Sequence, residues 1–108
     1  MRPFAVKAAA RGLLGCGLLL AAASALADLA LADKSACLNC HAVDKKLVGP
    51  SFSAIAAKYR GQPEAVAALR TKVEKGSAGV WGSVPMPAMG YLPKDDVAAV
   101  VLWITKLP

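Results

Sequence analysis

Two cysteines three residues apart, with a histidine directly after the second, are the residues of this chain best suited to chemistry. They stand in the run Cys37-Leu38-Asn39-Cys40-His41. Side chains at i and i+3 share a face of a helical turn, so both thiols can add to the two vinyl groups of one haem. His41 follows at a spacing that lets an imidazole nitrogen reach the haem iron. The spacing therefore predicts covalent attachment of one haem c.

Two other kinds of site use cysteines at this spacing. A zinc site needs about four ligands, and beyond residue 27 the chain has only Cys37 and Cys40 as cysteines and His41 as its single histidine. A thiol redox pair of the thioredoxin kind belongs to an alternating strand and helix pattern, and no run of the sequence reads as a strand. Haem attachment is the interpretation that the residues favour.

The second axial donor to the iron is narrowed by elimination. His41 is the single histidine of the chain, so the second donor cannot be another histidine. The soft donors that remain beyond residue 27 are Met86 and Met89. Met86 stands between Pro85 and Pro87, whose restricted backbones would hold a thioether in place. Met86 is the favoured donor, and Met89 or an open coordination site remain the alternatives.

Residues 1–27 have the pattern of a secretory leader. A positive start, an apolar segment over residues 12–23 and a small-residue cleavage site follow one another; the residues concerned are Arg2, Lys7 and Arg11, then Ala25, Leu26 and Ala27. We predict export, cleavage after Ala27 and one mature domain over residues 28–108. The apolar segment is shorter than the roughly 18 residues that a membrane span needs, so no stable membrane insertion is expected. An uncleaved leader acting as an anchor is the alternative.

Charge and length set limits on the mature domain. The leader removes three of the 13 basic residues, which leaves ten against seven acidic residues and a net charge near +3. An excess this mild can steer an acidic partner but does not indicate nucleic-acid binding. A domain this short buries only about 60% of its unfolded surface, and a covalent haem would supply apolar bulk that the polypeptide lacks.

Four helices are predicted, over about 29–40, 51–59, 63–75 and from Pro93 to the end of the chain. The last has the clearest core face, formed by Val97, Val100, Val101, Ile104 and Leu107. In the third, the predicted buried stripe is Val66, Leu69 and Val73. Residues 42–50 are predicted to form a stiff loop whose carbonyls can accept a hydrogen bond from the histidine, or else an ordinary turn. Residues 76–92 form a second loop, whose large apolar side chains are expected to be buried: Trp81, Val84, Met86, Met89 and Tyr91.

Taken together, these motifs resemble those of the short bacterial class I cytochromes c, of the cytochrome c-551 or c8 type. The resemblance covers residues 28–108. It rests on the Cys37 to His41 run, a closing amphipathic helix with Trp103, and three short motifs: Val48-Gly49-Pro50, Gly79-Val80-Trp81-Gly82 and Val84-Pro85-Met86-Pro87. It implies an all-α fold of about four helices around one covalently attached haem c, with the first and last helices crossing.

The resemblance also implies a role for individual side chains. Cys37 and Cys40 would form the thioethers, His41 and Met86 would be the axial iron ligands, the Pro50 carbonyl would hold the histidine ring, and Trp81 would donate to a haem propionate. Two positions depart from the family pattern. Lys72 stands where close relatives have an arginine at the propionate, and Met89 where an asparagine amide can reach the ligand sulfur.

The function implied is that of a periplasmic one-electron carrier, monomeric and not an enzyme. The implied partners are a membrane quinol-oxidising complex upstream and a nitrite reductase or terminal oxidase downstream. One alternative is a cytochrome module tethered to a respiratory complex by an uncleaved leader. The other is a five-coordinate haem sensor or catalyst, which would need distal acid and base groups that the chain, with His41 already used, hardly offers.

Overall fold

The computed structural model describes residues 14–108 and contains four α-helices. They are α1 (Leu14–Lys34), α2 (Phe52–Tyr59), α3 (Ala65–Lys75) and α4 (Lys94–Thr105), with a 3₁₀ turn at Cys37–Asn39 between α1 and α2. Among the described residues, β pairing is limited to one isolated antiparallel bridge between Ser77 and Met86. The all-α fold class expected from the sequence is confirmed.

The first helix ends earlier than the sequence predicts. A helix was expected over residues 29–40, but α1 stops at Lys34 because Ala36 takes up the left-handed backbone conformation, with φ at 63°. The Ala36 N–H still donates to the carbonyl of Asp33 at 2.9 Å, which closes the last turn of α1. The chain then changes direction, so the two cysteines lie on a separate short turn.

At its other end α1 runs through the predicted leader boundary. The helix begins at Leu14 and passes Ala27 without interruption, whereas the predicted positive start at Arg2, Lys7 and Arg11 lies outside the described residues. Cleavage after Ala27 therefore stays a prediction. Over residues 14–108 no helix combines the length and the apolar character needed to cross a membrane.

Local signals in the sequence fix the ends of α2 and α3. The Ser51 hydroxyl accepts a hydrogen bond from the Ala54 N–H at 3.0 Å and so caps the start of α2. Gly61 and Gly76 follow the two helices with φ at 77° each, a conformation that glycine adopts without the steric cost other residues meet. α3 begins at Ala65, two residues after the predicted start at residue 63.

α4 is the helix against which the other three pack. Its predicted core face is confirmed: Val97, Val100, Val101 and Ile104 are all buried, and Leu107 packs partly buried against the same core. Ala32 of α1, with no exposed surface, joins Phe52 and Ile55 of α2 in that core. A small residue here lets the backbones of α1 and α4 approach closely, consistent with the contact between first and last helices that the resemblance implies.

Replacing Ala32 by leucine is expected to lower the free energy of unfolding by about 1–3 kcal/mol, because the added carbons must enter a space that is already filled. Chemical unfolding of the purified protein measures this change. Ala30→Leu is the matched control, since Ala30 lies on the same helix but is exposed, and should change the free energy by less than about 0.5 kcal/mol. Equal effects from both substitutions would contradict close packing at Ala32.

Candidate haem site

The two cysteines lie on a tight turn that brings their side chains to one side. The Cys37 carbonyl accepts hydrogen bonds from both the Cys40 N–H (3.2 Å) and the His41 N–H (3.0 Å). The residues between adopt 3₁₀ geometry, which has three residues per turn, so side chains at i and i+3 eclipse. The spacing argued from the sequence is thus realised by a 3₁₀ turn rather than by a continuation of α1.

Both thiols are free and half-buried. Burial raises the pKa of the Cys37 thiol, and the hydrogen bond from its backbone lowers it by less. A reactive redox cysteine needs the opposite shift, toward a stable thiolate. A structural zinc site requires about four histidine, cysteine or acidic ligands. Among residues 14–108, no group of even three such side chains is placed so that it could hold a metal ion. Neither alternative considered for the motif is favoured.

The His41 ring is held through one of its two nitrogens. Nδ1 lies 2.7 Å from the carbonyl oxygen of Pro50. A carbonyl can only accept, so Nδ1 must carry the hydrogen, and Nε2 is then the nitrogen with a free lone pair. Metal-bound histidines usually donate their second ring N–H in this way, which fixes the orientation of the ring.

Two neighbours set the plane of the same ring. A Cβ added at Gly49 would lie 2.6 Å from His41 Cε1, closer than real side chains approach. On another side Phe52 stacks on His41, with ring centroids 5.3 Å apart and planes 22° from parallel. Phe52 is almost fully buried and meets Trp103 of α4 edge-on at 5.6 Å. The histidine therefore rests on the hydrophobic core.

A cavity of about 660 Å³ opens beside this ring. Its volume is in the usual range for cofactor sites, which are concave and mostly apolar. All the site residues expected from the sequence line it: Cys37, Cys40, His41, Pro50, Lys72, Trp81, Met86 and also Met89. A flat apolar group attached to two thiols and bound to an imidazole nitrogen fits this arrangement.

The cavity explains several errors of the sequence prediction. Leu69 and Val73 of α3 were expected to be buried, but both line the cavity and are half-buried. The loop side chains Trp81, Val84 and Tyr91 were likewise expected to be buried, yet they are 41%, 62% and 75% exposed. All three residues line the cavity.

The backbone of Met86 is fixed by a pair of hydrogen bonds. Its N–H donates to the Ser77 carbonyl at 2.8 Å, and its carbonyl accepts from the Ser77 N–H at 3.1 Å. Met89 is tied separately, through its N–H to the carbonyl of Val73 at 2.8 Å. Both methionines are half-buried. Pro85 and Pro87 restrict the backbone around Met86 in addition to its hydrogen bonds with Ser77.

Two residues important to the site were not singled out from the sequence as site residues. Gly49 belongs to the Val48-Gly49-Pro50 motif, but only the structure shows that its missing Cβ makes room for His41. Phe52 was assigned to the core, where it does lie, but it also supports the ring of His41. Glycine directly before Pro50 was the available signal for the first; the second has no signal in a single sequence.

Comparison with known proteins gives consistent results. A family model for cytochrome c matches residues 29–108. Cytochrome c-551 of Allochromatium vinosum is 50% identical over 86 residues, which are 80% of this chain and 92% of that protein. Cytochrome c-552 of Nitrosomonas europaea is 41% identical over 102 residues, 94% of this chain and 99% of that protein. The crystal structure of wild-type Nitrosomonas europaea cytochrome c552 aligns with a TM-score of 0.72 over 74% of this chain and 99% of that chain, at 41% identity.

Gly49→Ala is expected to destabilise the haem-loaded protein by about 1–3 kcal/mol, because the new methyl group must displace the His41 ring or strain its hydrogen bond to Pro50. Chemical unfolding measures the loss, and the NMR shifts of the His41 ring report the displacement. Gly90→Ala makes the same chemical change where the nearest atom would be 3.3 Å away, and should cost less. A neutral Gly49→Ala would show that the ring does not need this space.

Proposed function

Because the chain belongs to the cytochrome c family, whose members carry one covalently bound haem c, we propose that it is a periplasmic one-electron carrier with a six-coordinate haem. The haem iron, when bound, supplies the change between ferric and ferrous states. The polypeptide supplies the two attachment points, two axial donors and an apolar pocket. In this proposal Cys37 and Cys40 form the thioethers, and His41 and Met86 are the axial ligands.

The observation that best supports the proposal is the state of the His41 ring. With Nδ1 bound to the Pro50 carbonyl at 2.7 Å, the Nε2 lone pair is available as a donor in the cavity that both cysteines line. The ring is restrained by a hydrogen bond, by the close backbone of Gly49 and by Phe52. A donor restrained in this way stays in place when the charge of the cofactor changes.

Met86 is proposed as the second iron ligand because its N–H and its carbonyl are both hydrogen-bonded to the backbone of Ser77. If His41 and Met86 both bind the iron, no substrate could bind it, and electron transfer would be favoured over catalysis or gas sensing. Pro50, Trp81 and Lys72 are proposed to belong to the haem environment, Lys72 as a single positive charge toward a propionate. All three line the cavity, as the proposal requires.

We further propose that the protein acts as a monomer between a quinol-oxidising membrane complex and a nitrite reductase or terminal oxidase. The support is similarity to cytochromes c-551 and c-552 over most of the chain. The mature form is proposed to begin at Asp28, in the periplasm, after removal of residues 1–27. Mass spectrometry of the mature protein separates this carrier from a module tethered by its leader.

Cys37→Ala combined with Cys40→Ala should abolish stable haem protein, because both covalent attachment points are lost and a domain this short depends on the cofactor for its core. The yield of haem-loaded protein in the periplasm measures this. Cys16→Ala is the matched control, since it removes the remaining cysteine of the chain and should leave the yield unchanged. A normal yield of folded, haem-loaded double variant would contradict attachment through these thiols.

Met86→Ala should remove the weak absorption band that ferric iron shows when a sulfur is bound, and should let carbon monoxide bind the reduced protein. The reason is that the variant loses the sixth ligand and opens the iron to solvent. Absorption spectroscopy measures both effects. Met89→Ala is the matched control, because it removes a second half-buried sulfur from the same loop, and it should retain the band and exclude carbon monoxide.

Three results are informative beyond the expected one. Loss of the band only in Met89→Ala would assign the ligand to the other sulfur. Carbon monoxide binding by the unmodified protein would favour the five-coordinate sensor or catalyst. Retention of the band in both single variants, with loss only in the double variant, would show that the two sulfurs replace each other.

A further inference from the structure

The segment from Ser77 to Met86 is a loop that is closed at its neck and has little internal support. The two hydrogen bonds between Ser77 and Met86 form the neck. Residues 78–85, inside the loop, take part in none of the hydrogen bonds found in the described part of the chain. Gly79 and Gly82, with φ at 81° and 122°, turn the backbone on either side of the tip. The conformation of the tip must therefore depend on its side chains.

The tip carries Trp81, and one cation lies over its ring. Lys58 Nζ is 5.5 Å from the centroid of the indole, within the range of about 6 Å in which a cation is attracted to an aromatic face. Lys58 lies in the last turn of α2, whose Ile55 and Ala56 are buried in the core. Lys58 thus belongs to a helix that is packed into the core, whereas the Trp81 ring belongs to a loop with few hydrogen bonds.

Trp81 also borders the cavity, and Lys58 does not. Trp81 is therefore the residue that connects the edge of the cavity to the lysine on α2. Any force that holds the ring on α2 also holds the tip of the loop at the cavity edge. Because the same loop ends in Met86, the closure of its tip and the position of the methionine are mechanically connected.

We propose that Lys58 is a positioning residue that holds the Trp81 indole against α2 and so closes the 77–86 loop over the edge of the haem cavity. In this role it touches neither the cofactor nor an electron-transfer partner; it acts through the ring. The inference rests on the proposed haem-carrier function for its consequence at the haem, but the contact between Lys58 and Trp81 can be tested separately.

The first test uses the haem-loaded protein and the Trp81 indole N–H signal in NMR, assigned by its absence in Trp81→Phe. Lys58→Met keeps most of the side-chain stem and removes the charge, and it should make hydrogen exchange of this N–H about two- to five-fold faster, the range that an exposed cation–π contact implies. Lys58→Arg should restore the slow rate, because a guanidinium also binds an aromatic face. Lys106→Met removes an exposed charge away from the cavity lining and should leave the rate unchanged.

The second measurement is the reduction potential of the same variants. Removing the positive charge in Lys58→Met should lower the potential, and Lys58→Arg should restore it, because a nearby positive charge favours the ferrous state. A lowered potential without faster indole exchange would mean that Lys58 acts only as a charge, and would overturn the positioning role. Unchanged exchange in Lys58→Met, or an equal effect of Lys106→Met, would overturn it too.

The two proposals fail in different ways in these experiments. If the unmodified protein lacks the ferric sulfur band, the proposed methionine ligation fails, while the indole exchange rate still reports on the contact with Lys58. If the band is present and the indole does not respond to Lys58→Met, the positioning role alone fails.

Discussion

The hydrogen bond from His41 Nδ1 to the Pro50 carbonyl is the constraint on which the rest of the site depends. At 2.7 Å it fixes both the tautomer and the direction of the ring. It can form only because Gly49 brings its backbone against the ring without a Cβ. The Gly49 N–H in turn donates to the Cys40 carbonyl at 2.7 Å. The loop after the cysteines is thereby folded back onto the turn that carries them.

The same constraint links the site to the core of the domain. Phe52 follows the Pro50 loop, stacks on His41 and contacts Trp103 of α4 edge-on. The ring that would bind iron is therefore supported, through Phe52, by the helix against which the other three pack. Other parts of the cavity wall are formed by half-buried residues of α3 and by the 77–86 loop, whose residues 78–85 are exposed. A cofactor that filled the cavity would cover this apolar surface, worth about 25 cal/mol for each Å² removed from water.

The sequence predicts the elements of this fold well and their junctions poorly. The α4 core face repeats over three turns, and capping signals at Ser51, Gly61 and Gly76 mark the ends of α2 and α3. The sequence predicts that the first helix continues to residue 40, whereas α1 ends before Ala36, which adopts φ at 63°. An alanine gives no sequence signal for a left-handed backbone conformation. Burial was overestimated for Val84 and Tyr91, since apolar residues that face a cofactor cavity have the same sequence pattern as residues that face protein. The motif resemblance predicts that the candidate site residues lie together around one cofactor. The role of Gly49 depends on a close approach of its backbone to the His41 ring, and that of Lys58 on its contact with the Trp81 ring, neither of which follows from residue spacing.

The two proposed axial donors differ in what holds them, and this has consequences for how the protein can vary. His41 is supported by Phe52 and, through it, by α4, so a change on that side alters the ligand and the stability of the domain together. Met86 is supported by its pairing with Ser77 and by a loop whose tip makes a single described cation contact with α2. Residues 78–85 contribute nothing to the buried core, so a change there can shift the sulfur while the core stays intact. Variation in the reduction potential at little cost in stability should therefore arise on the methionine side of the cavity, where this chain has Met89 and Lys72 in place of the residues that the family pattern would lead one to expect.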